Sequence, residues 1–369
     1  MRLYLTAAKP TDSVTDGFLP AARALGCEVT ILSDRPEQHP DAIGCDVWDP
    51  RAVIDTIAHH QRPDAIFSNS DHLQVETALA AEYFGLPGKD WRACLAAKNK
   101  SLTRRRLAEA GVERVWSVRL APGDPVPADV PYPVVVKPRE GVASENVTLV
   151  ERDLERAVAG MRDLPLVVEE YLEGPLRTME TLGDGETTRV LGGFATTLGP
   201  LPHFVEERLD WAPSADEHVL RALEALGVGF GACHTEYVVT DKGPRIIEVN
   251  YRAIGDHCDF LLADILGVPL FEWILRVHMG EPVPEPPATS GHGCAVSVVA
   301  DRSGVITEAP PQVEGDGLWH RPLRKVGDRV ELTHTNRDYL GVIRAVGPSA
   351  EGVRRAVTAF QARHPWVIA

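Results

Sequence analysis

The first 93 residues switch repeatedly between two periods of apolar spacing. RLYLTAA and CEVTILSD are short apolar runs of strand length, and VTDGFLPAARALG between them spaces its apolar positions for a helix. AVIDTIAHHQ then reads as a helix, DAIFSNS as a strand, and HLQVETALAAEYFG as a helix that ends in GLPG. Alternating β and α segments predict a parallel sheet with helices on its faces. No GxGxxG turn follows the first strand, so the pattern does not mark a dinucleotide site.

The next segments mix elements differently. One helix is expected across CLAAKNKSLTRRRLAEAG, with Leu102, Leu107 and Ala108 facing inward and Gly111 ending it. APGDPVPADVPYP is too rich in proline for regular structure. The strand PVVVKP, the loop REGVASEN and the strand VTLV follow, then a helix over 151–164 and the strand LVVEEYL. METLGDGETTRVLGGFATT reads as a hairpin turning at Gly183-Asp184-Gly185, and HVLRALEALG as a helix. Two strands, GACHTEYVV and GPRIIEVNYR, flank a turn at Thr240-Asp241-Lys242-Gly243. DFLLADILG and FEWILRVHMG are helices ended by glycine, EPVPEPP is a break, and 290–369 mixes short strands with a helix at SAEGVRRAVTAFQARH.

With 369 residues the chain is long enough for two to three domain-sized units. Its net charge of −15 argues against nucleic acid or an anionic membrane as partner. No apolar stretch approaches a membrane span, and MRLYLTAAKP lacks a signal-peptide pattern, so a cytoplasmic location is expected. The six cysteines form no CxxC pair and are expected as free thiols.

Candidate chemistry concentrates in the last strand pair. Side chains alternate along a strand, so Glu248 and Asn250 share a face, and a tight hairpin brings Glu236 beside them. Two carboxylates and an amide oxygen suit Mg²⁺, which leaves its other positions to nucleotide phosphates; Arg252 lies two residues on. The plain alternative is an acidic, solvated strand face. Lys137 ends an apolar strand before a glycine-containing turn, where it can reach a phosphate. Gly141 admits backbone amides there and Ser144 adds a hydroxyl; an ordinary strand-end lysine is the alternative. Lys100 precedes Arg104, Arg105 and Arg106, at least two of which are expected on a solvated helix face. At Glu169-Glu170-Tyr171-Leu172 the backbone can bond an adenine edge while carboxylates take its amine or the ribose; a charged strand end is equally compatible. His203, Arg208 and His257 border these segments. Arg208 suits a substrate carboxylate, and His257 is read as a satisfied polar residue rather than a general base.

These pieces, in this order, resemble the ATP-grasp family: KNKSLTRRRLAEAGV, VVVKPREGVASENV, VVEEYLEG with Glu180, and HTEYVV followed by IIEVNYRAIGD. The resemblance implies an α/β and α+β fold in three parts. These are a Rossmann-like pre-ATP-grasp domain (1–93), the ATP-grasp core (94–283) and a small mixed extension (288–369) that completes the catalytic half. It implies that Lys100 and Lys137 bind ATP phosphates, that Glu169, Tyr171 and Leu172 line the adenine pocket, and that Glu180 sits near the ribose or phosphates. Glu236, Glu248 and Asn250 would hold two Mg²⁺ ions, with Mn²⁺ as a substitute, and Arg252 would be catalytic. Leu176 stands where the family often has glutamate, Tyr251 where it has proline, and Ile254-Gly255 where it has a glycine pair.

The implied activity is a carboxylate–amine ligase that works through an acyl phosphate. The wording of HTEYV…IEVNYRAIGD is similar to ligases of siderophore pathways, and the C-terminal segment resembles the extension of amino-acid and dipeptide ligases. The expected partners are a small carboxylic acid, a polycarboxylate or amino acid, and an amine; homodimers are common in the family. A carboxylase of the same fold and a silent nucleotide binder are the alternatives.

Overall fold

The structure, a computed structural model, describes residues 1–369. Near the N-terminus the strands Arg2–Thr6, Glu28–Ser33, Ile43–Gly44 and Ala65–Phe67 form a parallel sheet, with Arg2–Thr6 between Glu28–Ser33 and Ala65–Phe67. Leu3, Tyr4 and Leu5 are all buried because both faces are covered. Tyr4 packs with Ile57 and Leu73 on one face. Leu3 and Leu5 share a core on the other with Phe18, Leu261 and Phe271. The N-terminal sheet is thereby locked to the helices Cys258–Leu266 and Leu270–His278, which follow the strand Gly243–Asn250.

Three antiparallel sheets make up the rest, the smallest a three-stranded one of Arg329–Val330, Gly304–Glu308 and Val367–Ile368. A four-stranded sheet orders Ser117–Leu120, Leu166–Glu170, Val134–Pro138 and Thr148–Val150 side by side. A ten-stranded sheet contains the hairpin Phe230–Thr240 and Gly243–Asn250, then Leu176–Asp184, Phe194–Leu198 and Glu206–Trp211. The C-terminal strands His292–Val299 and Tyr339–Gly347 extend that same sheet beside Glu206–Trp211. No helix is long and apolar enough to cross a membrane.

Two expected helices differ. The helix expected across CLAAKNKSLTRRRLAEAG is two, Trp91–Lys98 and Lys100–Glu109, separated at Asn99. Asn99 leaves helical geometry and its side chain accepts from the Leu102 amide, the cap that asparagine favours. The helix expected over 151–164 shrinks to Leu154–Val158 and a 3-10 turn, Ala159–Met161. The hairpin at Gly183-Asp184-Gly185 forms as expected.

Candidate active site

The two larger antiparallel sheets and the C-terminal ends of the first and last parallel-sheet strands enclose a cavity of about 620 Å³. Ligands of open α/β sheets gather at such strand ends. Thr6, Ala7, Asn69 and Asp71 line it there, Lys137 and Glu169 from the small sheet, and His234, Glu236, Glu248 and Asn250 from the large one.

On the large sheet Glu236 and Glu248 are direct cross-strand partners, as are His234 and Asn250, with a bulge just after Glu236. Asn250 Nδ2 lies 3.4 Å from Glu236 Oε1, and His234 Nε2 also 3.4 Å from that oxygen. His234 Nδ1 sits 2.8 Å from Glu180 Oε1, which also accepts from the Thr178 hydroxyl. Burial opposes a charge on His234, but Glu180 and Glu236 outweigh it and raise its pKa to about 10, so it is an imidazolium. Lys100 Nζ lies 2.7 Å from Glu248 Oε1 and 3.2 Å from the Gly141 carbonyl. These hard oxygens, one already matched to an ammonium ion, fit a divalent cation. No three His, Cys, Asp or Glu side chains converge as a complete cage. Mg²⁺ sites that use one or two carboxylates leave their other positions to phosphates and water. Arg252 follows and donates to the Ala253 carbonyl at 2.8 Å.

Across the cavity, Lys137 Nζ is 2.8 Å from Glu169 Oε2. Both Glu169 oxygens also meet the Arg104 fork, Nε at 2.8 Å and Nη2 at 3.1 Å. Burial alone would raise the Glu169 carboxyl; Arg104 and Lys137 hold it at about 2. Tyr171 and Leu172 line the wall beyond. Glycine is required at Gly174, since a Cβ there would stand 2.2 Å from the Val239 carbonyl oxygen.

Several expected residues sit differently. Glu169 lines the cavity, but its carboxylate is occupied by Arg104 and Lys137 rather than free for an adenine amine. Glu180 is buried behind His234 and does not line the cavity. Ser144 lines it, yet its hydroxyl donates to the Phe204 carbonyl at 2.8 Å. Arg208 is turned away and forks Asp210 at 2.7 Å. A bulge between Arg208 and Glu206 is the reason, because one extra residue exchanges the faces of a strand. His203 stacks on His334 with ring centroids 4.4 Å apart, outside the cavity lining. His257 lines the cavity, and its Nε2 donates to Asp12 at 2.8 Å, which holds the Asp12 carboxyl below the usual range. Of the three arginines, Arg105 is solvated, Arg106 is half-buried and Arg104 is buried.

Sequence reasoning missed Glu206, Asp256 and Asp12, which line the cavity. Burial, then Glu236 nearby, pushes the Glu206 carboxyl up to about 8, and that carboxyl has no protein partner. Nothing in the local sequence announces it, since the bulge decides which residue faces inward. The Tyr251 departure has a visible role: its hydroxyl accepts from the Gly229 and Phe230 amides at 3.1 and 3.0 Å, and Lys89 Nζ lies 4.4 Å from its ring centroid. Leu176 places an apolar side chain in the lining.

Residues 97–256 match the family model described as "ATP-grasp domain". The uncharacterized protein y4rH of Sinorhizobium fredii is 31% identical over 307 residues, 74% of this chain and 63% of that protein. Carnosine synthase 1 of Homo sapiens is 28% identical over 271 residues, 62% of this chain and 32% of the synthase. The chain thus spans under two thirds of the length of these curated relatives. Among solved structures, the L-amino acid ligase from Bacillus licheniformis superposes with a TM-score of 0.81 at 19% identity, over 100% of this chain and 98% of that one. Residues 97–256 thus match an ATP-grasp domain, and the chain shares the fold of the Bacillus licheniformis ligase along its whole length.

Proposed function

We propose that this chain is an ATP-dependent carboxylate–amine ligase. One observation carries the reading: Lys100, Lys137, Glu236, Glu248, Asn250 and Arg252 come from four separate segments and line one cavity. Lys137 and Lys100 bind ATP phosphates. Glu236, Glu248 and Asn250 would hold Mg²⁺, which would supply neutralisation of phosphate charge. With Glu248 engaged by a cation, the Lys100 ammonium that now bonds it would be free to meet a phosphate oxygen. A carboxylate oxygen attacks the γ-phosphorus, the bond to ADP breaks, and an acyl phosphate forms. The amine nitrogen then attacks the acyl carbon, phosphate leaves with the bonding pair, and the nitrogen loses a proton. The protein positions these groups and stabilises charge, and Arg252 faces the charge that develops.

The acceptor end favours an amino acid among the possible substrates. Glu206 and Asp256 line it and neither carboxylate is paired within the protein. An ammonium group set against this wall would stabilise the ionised form of Glu206, whereas a citrate-like polycarboxylate or bicarbonate would add negative charge beside Glu206, Glu236 and Asp256. Specialised peptide biosynthesis suits this wall better than siderophore assembly from a polycarboxylic acid.

The test is phosphate release from Mg-ATP across a crossed panel of acids and amines, with mass spectrometry of products. Release that needs both an amino acid and an amine, with an adduct one water lighter than their sum, supports the reading. Release that needs bicarbonate instead identifies a carboxylase. Bound Mg-ATP with no turnover for any pair favours a silent binder.

A further inference from the structure

From Glu169 in the cavity wall a row of buried charges runs back to Arg104 and Glu113, and the proposed reaction assigns none of the three a role. The side chains of Arg104, Glu113 and Glu169 are 4%, 1% and 4% exposed. A buried ion network of this kind is weak evidence for stability, because apolar residues of similar volume often serve as well or better. Its geometry suggests another use. Arg104 forks Glu169 with Nε and Nη2, and its Nη1 donates to Glu113 Oε1 at 3.0 Å and to the Ile246 carbonyl at 2.6 Å. Ile246 stands two residues before Glu248 on the same strand. The remaining reach of Glu169 Oε2 goes to Lys137. One helical turn before Arg104, Lys100 reaches Glu248 itself. The helix Lys100–Glu109 therefore bonds both walls of the cavity through two residues on one face.

We propose that Arg104 is a positioning residue of the nucleotide site: it fixes the Glu169 carboxylate, which holds the Lys137 ammonium at a set place opposite the metal-side strand. The inference rests on the reading of Lys137 as a phosphate ligand. Both Glu169 oxygens are engaged by cations, and a lysine at 104 lacks the planar fork that orients a carboxylate.

The experiment measures the Kd for Mg-ATP by calorimetry in wild type, Arg104→Lys, Glu169→Gln and Leu107→Ala. Leu107 is fully buried on the same helix, so its truncation lowers stability by leaving a cavity but touches none of the charges. Loss of a charge-assisted bond predicts a Kd raised roughly ten- to hundredfold in Arg104→Lys and Glu169→Gln, with Leu107→Ala near wild type. In Arg104→Ala, added millimolar guanidinium should restore part of the affinity, which a merely structural role would not do. Wild-type binding with Arg104→Lys and Glu169→Gln unchanged, or lowered no more than in Leu107→Ala, overturns the inference alone. A wild type that binds no Mg-ATP overturns the nucleotide reading and this inference together.

Discussion

Glu236 and Glu248 face each other across adjacent antiparallel strands. Like charges directly opposite destabilise a sheet. Here the repulsion is met by cations on two sides, the Lys100 ammonium 2.7 Å from Glu248 and the His234 imidazolium 3.4 Å from Glu236. The two carboxylates thus sit between two cationic side chains.

His234 supports Glu236 from behind, so its loss should loosen the metal without removing a ligand. We expect His234→Gln to raise the Mg²⁺ concentration for half-maximal turnover by roughly 10- to 100-fold, and Glu248→Gln to abolish turnover. Phosphate release against Mg²⁺ concentration checks both. An unchanged Mg²⁺ requirement in His234→Gln would separate it from the metal site.

Arg252 is expected to act on charge that exists only during reaction. Arg252→Ala should lower turnover by about 3–4 kcal/mol in barrier height while leaving ATP affinity largely intact. Single-turnover rates beside the ATP Kd make the comparison, and near-normal turnover excludes the role.

Glu206 should govern the amine-bearing substrate. Glu206→Gln is expected to raise KM for that substrate and leave the ATP Kd unchanged, and Glu206→Lys to shift preference toward an anionic acid. Equal effects on both ligands would mean that Glu206 serves the fold.

Arg208 gives the opposite expectation. Its fork is spent on Asp210 at a half-exposed site, so Arg208→Ala should cost less than about 1 kcal/mol of stability. Turnover and substrate KM should stay as in wild type. A large rise in KM would restore it as a carboxylate clamp.

Acid stability should depend on His278. It is buried between Phe67 and Phe230, with ring centroids 5.0 Å from each, and neither ring nitrogen has a partner. Burial, helped by Lys89, lowers its pKa to about 3. The unfolded chain takes up this proton near pH 6.5 and the folded chain only near 3. Between those values the unfolded state binds more protons, so stability falls as pH falls, by at most about 1.4 kcal/mol per pH unit from this residue. Denaturant unfolding of wild type and His278→Phe from pH 6.5 to 5 should show a shallower decline in the variant. Parallel curves would falsify the assignment.

The sequence by itself determined the local elements and the acidic cross-strand pair. Alternating periods marked the parallel sheet, and strand period plus a four-residue turn were enough to set Glu248, Asn250 and Glu236 together, because those relations are local. The ordered segments from Lys98 to Asp256 likewise carried the family resemblance. Tertiary structure alone decided which charges are spent and which remain free. Arg104 is one of three arginines, at least two of them expected on a solvated face, and only Glu169 of the small sheet singles it out. A one-residue bulge turned Arg208 outward and Glu206 inward, and strand alternation read without it gives the wrong face. Burial and pairing depend on partners 65 to 142 residues away, such as Glu169 and Ile246 for Arg104, and no local pattern encodes them.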